Sequence, residues 1–244
     1  MPFSAWLGPD DRNWLKAGAR TALSGPAFYV ALSLMSTGAL ARAADMPPGA
    51  AMLATALIWA GPGQVLFFGA LAAKAAPAAI ALAVSLSSVR LLPMCLSVLP
   101  MLRGPRTRRW VLALAAHFIA VTVWTESLRR LPDMKREGRM PFFFGFALTC
   151  VALTTLASGL GYWLTAAIPG PLAAGLMTLS PFYFLAATAR AARDGADWLA
   201  IGAGVVLAPL AEATVGGDFD LPLVALLGGG GAWLVGFYAR KAAA

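Results

Sequence analysis

Eight predominantly apolar segments, most of them near twenty residues long, follow one another along this chain, and that repetition fixes its solvent before anything else. They cover residues 21–40, 50–73, 77–102, 110–128, 142–168, 171–189, 198–214 and 221–238. A helix of about 20 such residues crosses about 30 Å of hydrocarbon. Lipid gives backbone N–H and C=O groups no partner, so the choice lies between helices and a closed barrel. The ten-residue alternation of a barrel strand does not occur. The expected fold class is therefore an all-α integral membrane protein. Composition agrees: 59% of the 244 residues are hydrophobic and 12% charged, against about 45–50% and about 25% in a soluble domain. The 19 Lys and Arg exceed the 11 Asp and Glu, giving +8. These cations stand in short loops between apolar runs, which points to anionic headgroups and away from nucleic acid. Cys95 and Cys150 both lie inside apolar runs and read as packing residues.

The first twenty residues carry Asp10, Asp11, Arg12, Lys16 and Arg20 ahead of any long apolar run, so no cleaved signal peptide is expected. Residues 1–20 read as a cytoplasmic segment and 21–240 as one polytopic domain, with the N-terminus inside. Loop cations favour the cytoplasm. Eight simple crossings would put Arg103, Arg106, Arg108 and Arg109 outside, or else Arg129, Arg130, Lys135, Arg136 and Arg139. Both loops become internal if 110–128 enters and leaves on one face. The segment 50–73 contains Gly61-Pro62-Gly63, where the chain departs easily from helical geometry. Treating it too as re-entrant restores parity and leaves about six transmembrane helices plus two broken segments. Arg190, Arg193, Arg240 and Lys241 then lie inside, Asp218 and Asp220 outside. Two full crossings with one displaced basic loop is the alternative.

Interrupted apolar segments point to a transporter site, because half-helix termini offer backbone donors or carbonyls to a substrate. Tightly packed membrane helices also tolerate kinks, but here the breaks cluster. Gln64 follows Gly61-Pro62-Gly63, and the next segment holds Ser85, Ser87, Ser88, Arg90, Pro93 and Ser97. Arg90, mid-segment, costs about 2.5–3.5 kcal/mol to insert. It either grips a substrate carboxylate, fork to fork, or pairs with Glu126. Pro93 removes the donor opposite the Val89 carbonyl, next to Arg90. Glu126 and His117 lie on opposite faces of their segment. His117, the single histidine, is a candidate proton relay or a satisfied bundle residue. Glu126 is a candidate coupling group or an interfacial partner of the 129–139 loop. The substrate-binding candidates are Gly61, Gly63, Gln64, Ser88 and Arg90. No zinc spacing, Walker loop, HExxH or dinucleotide fingerprint occurs, so neither an enzyme nor a cofactor is expected. Gly228 to Gly231 read as a close-packing surface.

Ala60-Gly61-Pro62-Gly63-Gln64 resembles the small-residue-then-glutamine motif of the AzlC family of amino-acid exporters. Ser88-Val89-Arg90, continuing to Ser97 and Pro100, is similar to that family's Asn-Leu-Arg-His motif, and Trp124-Thr125-Glu126-Ser127-Leu128 to its Thr-Asp-Glu element. Ser88 replaces the asparagine, Leu91 the histidine and Thr125 the aspartate. The likeness covers roughly residues 18 to 190. It implies export of branched-chain or similar small apolar amino acids across a bacterial inner membrane, together with a small membrane partner of the AzlD type. The competing expectation is a membrane scaffold or assembly subunit without transport of its own.

Overall fold

The computed structural model describes residues 9–104, 107–192, 194–214 and 223–242. Among the described residues every regular element is helical and none is a strand. In chain order they are α1 (Pro9–Leu23), α2 (Pro26–Ala43), α3 (Pro48–Leu57), α4 (Gly61–Ala72), α5 (Pro77–Ser88), α6 (Leu91–Leu102), α7 (Arg109–His117), α8 (Val121–Arg130), α9 (Arg136–Ala167), α10 (Gly170–Ala191) and α11 (Gly195–Thr214). A π-turn at Ala225–Gly229 then leads into α12 (Gly230–Ala242). By length and apolarity α9, α10 and α11 can each cross a bilayer, and the bent pairs α1–α2 and α5–α6 raise the number to five. The stretch Ala225–Tyr238 is apolar but shorter. Arg106, Arg193, Asp218 and Asp220 lie outside the described residues.

The bends have local causes. The run at 21–40 is not one straight helix. Helix begins earlier, at Pro9, with Asp10 and Asp11 in its first turn, where the helix dipole favours negative charge. It stops at Ser24, because Gly25 takes φ +148° and Pro26 opens α2 at an angle of 58°. The α5–α6 bend of 53° falls at Val89–Arg90. Pro93 cannot donate to the Val89 carbonyl, and Leu92 N–H takes that oxygen at 3.0 Å, tightening the turn.

Helix α9 is the spine of the structure. Its 32 residues extend about 48 Å. It starts at Arg136, ahead of the apolar run at 142–168. Helices α1 and α2 lie along it with backbone against backbone, and glycines make that approach possible. A Cβ on Gly18 would overlap the Phe142 carbonyl oxygen, and one on Gly145 that of Leu15. Gly38 stands in the same way against the Ser158 carbonyl, and Gly161 against that of Met35. Without a hydrophobic drive between helices in lipid, such close approach is a main source of association. Trp14 covers Gly138 near the start of both partners. The Tyr162 hydroxyl donates to the Met46 carbonyl at 2.9 Å near their ends. The α1–α2 pair and α9 therefore run parallel.

This direction sorts the ends of the molecule. Arg139, in the first turn of α9, donates from Nη1 to the Met101 carbonyl at 3.3 Å, from Nε to Met134 at 3.1 Å and from Nη2 to Pro132 at 3.2 Å. Trp14, Thr21, Arg129, Arg130, Asp133 and Phe142 line one cleft. The start of α1, the end of α6 and the α8–α9 loop thus share one end, rich in Lys and Arg. Helices α7 and α8, of nine and ten residues, each reach about 14–15 Å. They leave from that end and return to it. At the other end, Met46 on Tyr162 fixes the start of α3, and a short turn joins α4 to α5, whose bent pair leads back to Leu102. Both segments expected to be broken are broken, and they enter from opposite ends.

Candidate functional site

The two interruptions meet in the core. The first lies at Ile58, Trp59 and Ala60, just ahead of Gly61-Pro62-Gly63, which form the opening turn of α4. A proline is well suited to that position, since its missing N–H would have no helical acceptor there. The second lies at Phe118, Ile119 and Ala120, between α7 and α8. Trp59 Nε1 donates to the Phe118 carbonyl at 3.0 Å, joining one break to the other. Trp59 is 5% exposed and Ile119 1%, and both belong to the main hydrophobic core with Val98, Val123 and Phe144. The opening ends of α4 and α8 carry free N–H groups and the positive ends of their dipoles to the same central region, while α3 and α7 bring carbonyls.

Gln64 is fully buried. Its Nε2 donates to the Ile58 carbonyl at 2.6 Å and to that of Thr55 at 3.2 Å, closing the frayed end of α3. Its Oε1 is buried without a hydrogen-bond partner. A chain of hydroxyls continues from there. Thr55 Oγ1 lies 3.0 Å from Ser158 Oγ, and Thr37 Oγ1 donates to Ser158 Oγ at 3.4 Å. Ser36 and Ser180 are bonded to each other between α2 and α10, and Ser180 also donates to the Ser33 carbonyl. Buried polar groups of this density in a membrane helix bundle mark a specified site, because unsatisfied groups there are costly.

The anticipated residues are brought together in part. Gly61, Gly63 and Gln64 share the first turn of α4, and a Cβ on Gly61 would strike the Phe184 ring from α10. Gly63 faces Val84 of α5. Ser88 lies one turn beyond Val84 and donates to its carbonyl at 2.8 Å. Arg90 stands at the α5–α6 bend, exposed, with no ion pair or hydrogen bond among the described residues. The Arg90–Glu126 pair does not form. Glu126 Oε2 instead accepts from Arg129 Nη2 at 3.0 Å and Arg130 Nε at 2.8 Å, its i+3 and i+4 neighbours on α8. His117 is exposed at the end of α7, its ring edge against Phe118 at the second break. Trp124 Nε1 donates to Ser97 Oγ at 2.8 Å, so the α6 and α8 segments that carry the family-like motifs touch.

Trp59, Phe118, Thr55 and Ser158 were not singled out from the sequence. A tryptophan inside an apolar run was the available signal, since its indole N–H requires a partner when buried. The hydroxyls, 103 residues apart, carry no local signature.

Neither the curated proteins nor the solved structures gave a match to this chain. The family model described as AzlC protein matches residues 27–168, more than half of the chain, and takes in both breaks, the Arg90 bend and the Glu126 turn. The chain belongs to the AzlC family.

Proposed function

We propose that this chain is the large subunit of a secondary transporter that exports branched-chain or similar small apolar amino acids across a bacterial inner membrane. The observation that carries the reading is the Trp59–Phe118 hydrogen bond between two helix breaks in a buried core. A half-helix N-terminus suits a carboxylate and a carbonyl end suits an ammonium, so such a crossing can hold both ends of an amino acid. Gly61 and Gly63 keep the α4 terminus open, Gln64 and Ser88 supply polar contacts, and Arg90 takes the carboxylate from the α5–α6 bend. His117 and Glu126 are the titratable groups assigned to coupling. Membership of a transport-associated membrane family supports this reading. The test is efflux of preloaded labelled leucine, isoleucine and valine from cells with and without the gene. Efflux about tenfold or more slower is expected without it. Equal efflux rejects export.

The topology we assign has six spans: α1–α2, α5–α6, α9, α10, α11 and the last segment through α12. The pairs α3–α4 and α7–α8 are re-entrant from opposite sides, and the basic end is cytoplasmic. Single cysteines at Arg103 and Arg136, in a background lacking Cys95 and Cys150, should resist an impermeant external thiol reagent in intact cells. Labelling of either overturns the orientation. We assign a small AzlD-type subunit as the partner, against the last segment, where Gly230 has nothing within 4 Å of an added Cβ.

A further inference from the structure

We infer that the cleft at the basic end of the molecule binds one zwitterionic phospholipid whose headgroup ends in a primary ammonium, with its phosphate on Arg129 and Arg130 and its ammonium on Asp133. The inference goes beyond the transporter reading and does not depend on it. The cleft encloses about 660 Å³, within the ~300–1,000 Å³ typical of ligand sites. It lies between α1, the end of α8 and the first turns of α9, where the charged run 135–139 gives way to the apolar run from Phe142. That is the level at which headgroups meet hydrocarbon. The lining is divided in chemistry. Trp14, Ala17 and Phe142 supply an apolar wall, with Phe142 buried. Arg129, Arg130 and Asp133 supply the charge; Asp133 is exposed, and the two arginine side chains are 64% and 40% exposed. A phosphate headgroup above the start of an acyl chain uses both parts, whereas a soluble phosphate leaves the apolar wall without an occupant.

Glu126 positions the arginines without consuming them. Its Oε2 accepts one bond from Arg129 Nη2 at 3.0 Å and one from Arg130 Nε at 2.8 Å, so the two guanidiniums are held around a single oxygen. Each guanidinium carries several more N–H donors in a rigid fork, which remain for a phosphate. Charge then selects the headgroup. Arg129 and Arg130 are balanced by Glu126 and Asp133, and Asp133 pairs with neither arginine nor any other cation among the described residues. A lipid with a net negative headgroup would add an uncompensated charge beside Asp133. A headgroup that carries both signs keeps the cleft neutral and gives Asp133 its partner. A primary ammonium donates hydrogen bonds to that carboxylate, and a quaternary choline cannot. The Trp14 indole N–H has no protein acceptor among the described residues, which suits a tryptophan at the membrane interface whose acceptor is a headgroup.

The full chain, purified in mild detergent, is titrated with phosphatidylethanolamine, phosphatidylcholine and phosphatidylglycerol of identical acyl chains, and bound lipid is counted by native mass spectrometry. One saturable site should prefer the ethanolamine lipid by about tenfold or more over the other two. Asp133→Asn, a change in an exposed loop, should erase the preference over phosphatidylglycerol. Arg130→Gln should weaken binding of all three lipids. Ala17→Leu, which fills the apolar wall without touching a charge, should do the same. Soluble phosphoethanolamine at the same concentration should leave the lipid bound. Equal binding of the three lipids, tighter binding of phosphatidylglycerol, or an unchanged preference in Asp133→Asn would each overturn the assignment. Displacement by phosphoethanolamine would make the ligand a soluble phosphate and overturn the lipid site. Binding is read without transport, so loss of export with lipid binding intact removes the transporter reading alone.

Discussion

Lysine in place of Arg90 lowers amino-acid efflux by about tenfold or more while the chain still reaches the membrane in normal amount. The expectation starts from cost. A guanidinium in mid-segment is disfavoured by about 2.5–3.5 kcal/mol, and the structure leaves Arg90 exposed, without an ion pair or hydrogen bond among the described residues. The acid that might have neutralised it, Glu126, is held by Arg129 and Arg130. A function that needs a planar fork accounts for retaining such a residue, and lysine keeps the charge but loses the fork. Uptake of label into inverted vesicles, with the protein quantified by immunoblot, reads the effect. Efflux at the wild-type rate in the lysine variant rejects bidentate recognition of a carboxylate. Loss of protein in Arg90→Lys would instead make the guanidinium a structural group.

The comparison of Arg90 with Glu126 also shows where sequence reasoning succeeds and where it stops. Gly61-Pro62-Gly63 announces a break through backbone chemistry alone, and the structure places the interruption immediately before it. Pro93 likewise predicts freed acceptor geometry at Val89, and the chain bends there. The second break has no such marker, since His117-Phe118-Ile119-Ala120 contains neither Pro nor Gly. It was legible only through charge, because two basic loops could not otherwise share a side. Arg139, bonded to the Met101 carbonyl, now ties those loops together. Glu126 was decided by local arithmetic, its i+3 and i+4 arginines lying on its own helix face, and not by the distant Arg90. What no local pattern supplied is the set of contacts made across the fold. Trp59 to Phe118 joins the α3–α4 break to the α7–α8 break, and Thr55 to Ser158 joins α3 to α9, each across residues far apart in the chain. The start of α1 was hidden for the opposite reason. Asp10 and Asp11 made the segment look like a solvated tail, although acidic residues in a first turn are also what a helix N-terminus favours.

Leucine at Gly38 abolishes the folded protein, and leucine at Gly230 does not. Both positions are glycine in an apolar helix, so composition and hydropathy treat them alike. Their surroundings differ. A Cβ on Gly38 would lie 1.8 Å from the Ser158 carbonyl oxygen and crowd the Ser158 carbonyl carbon and Tyr162 nitrogen, all backbone atoms that no rotamer change can move. Helices α2 and α9 would have to separate, at a cost above about 3 kcal/mol. Separation would also pull Ser158 from Thr37 and Thr55, and Tyr162 from Met46, so the hydroxyl chain leading to Gln64 would be lost with the packing. Gly230 has nothing within 4 Å of an added Cβ. Within this chain a leucine there meets open space, and its effect falls on whatever packs against that face. Size-exclusion profiles in detergent should show Gly38→Leu as aggregate and Gly230→Leu as folded chain. Co-purification should then recover less of the small membrane subunit with Gly230→Leu than with the wild type. A folded Gly38→Leu would mean that α2 and α9 do not touch through their backbones, and the parallel spine would fall with that contact. Full recovery of the subunit with Gly230→Leu would move the partner to another face.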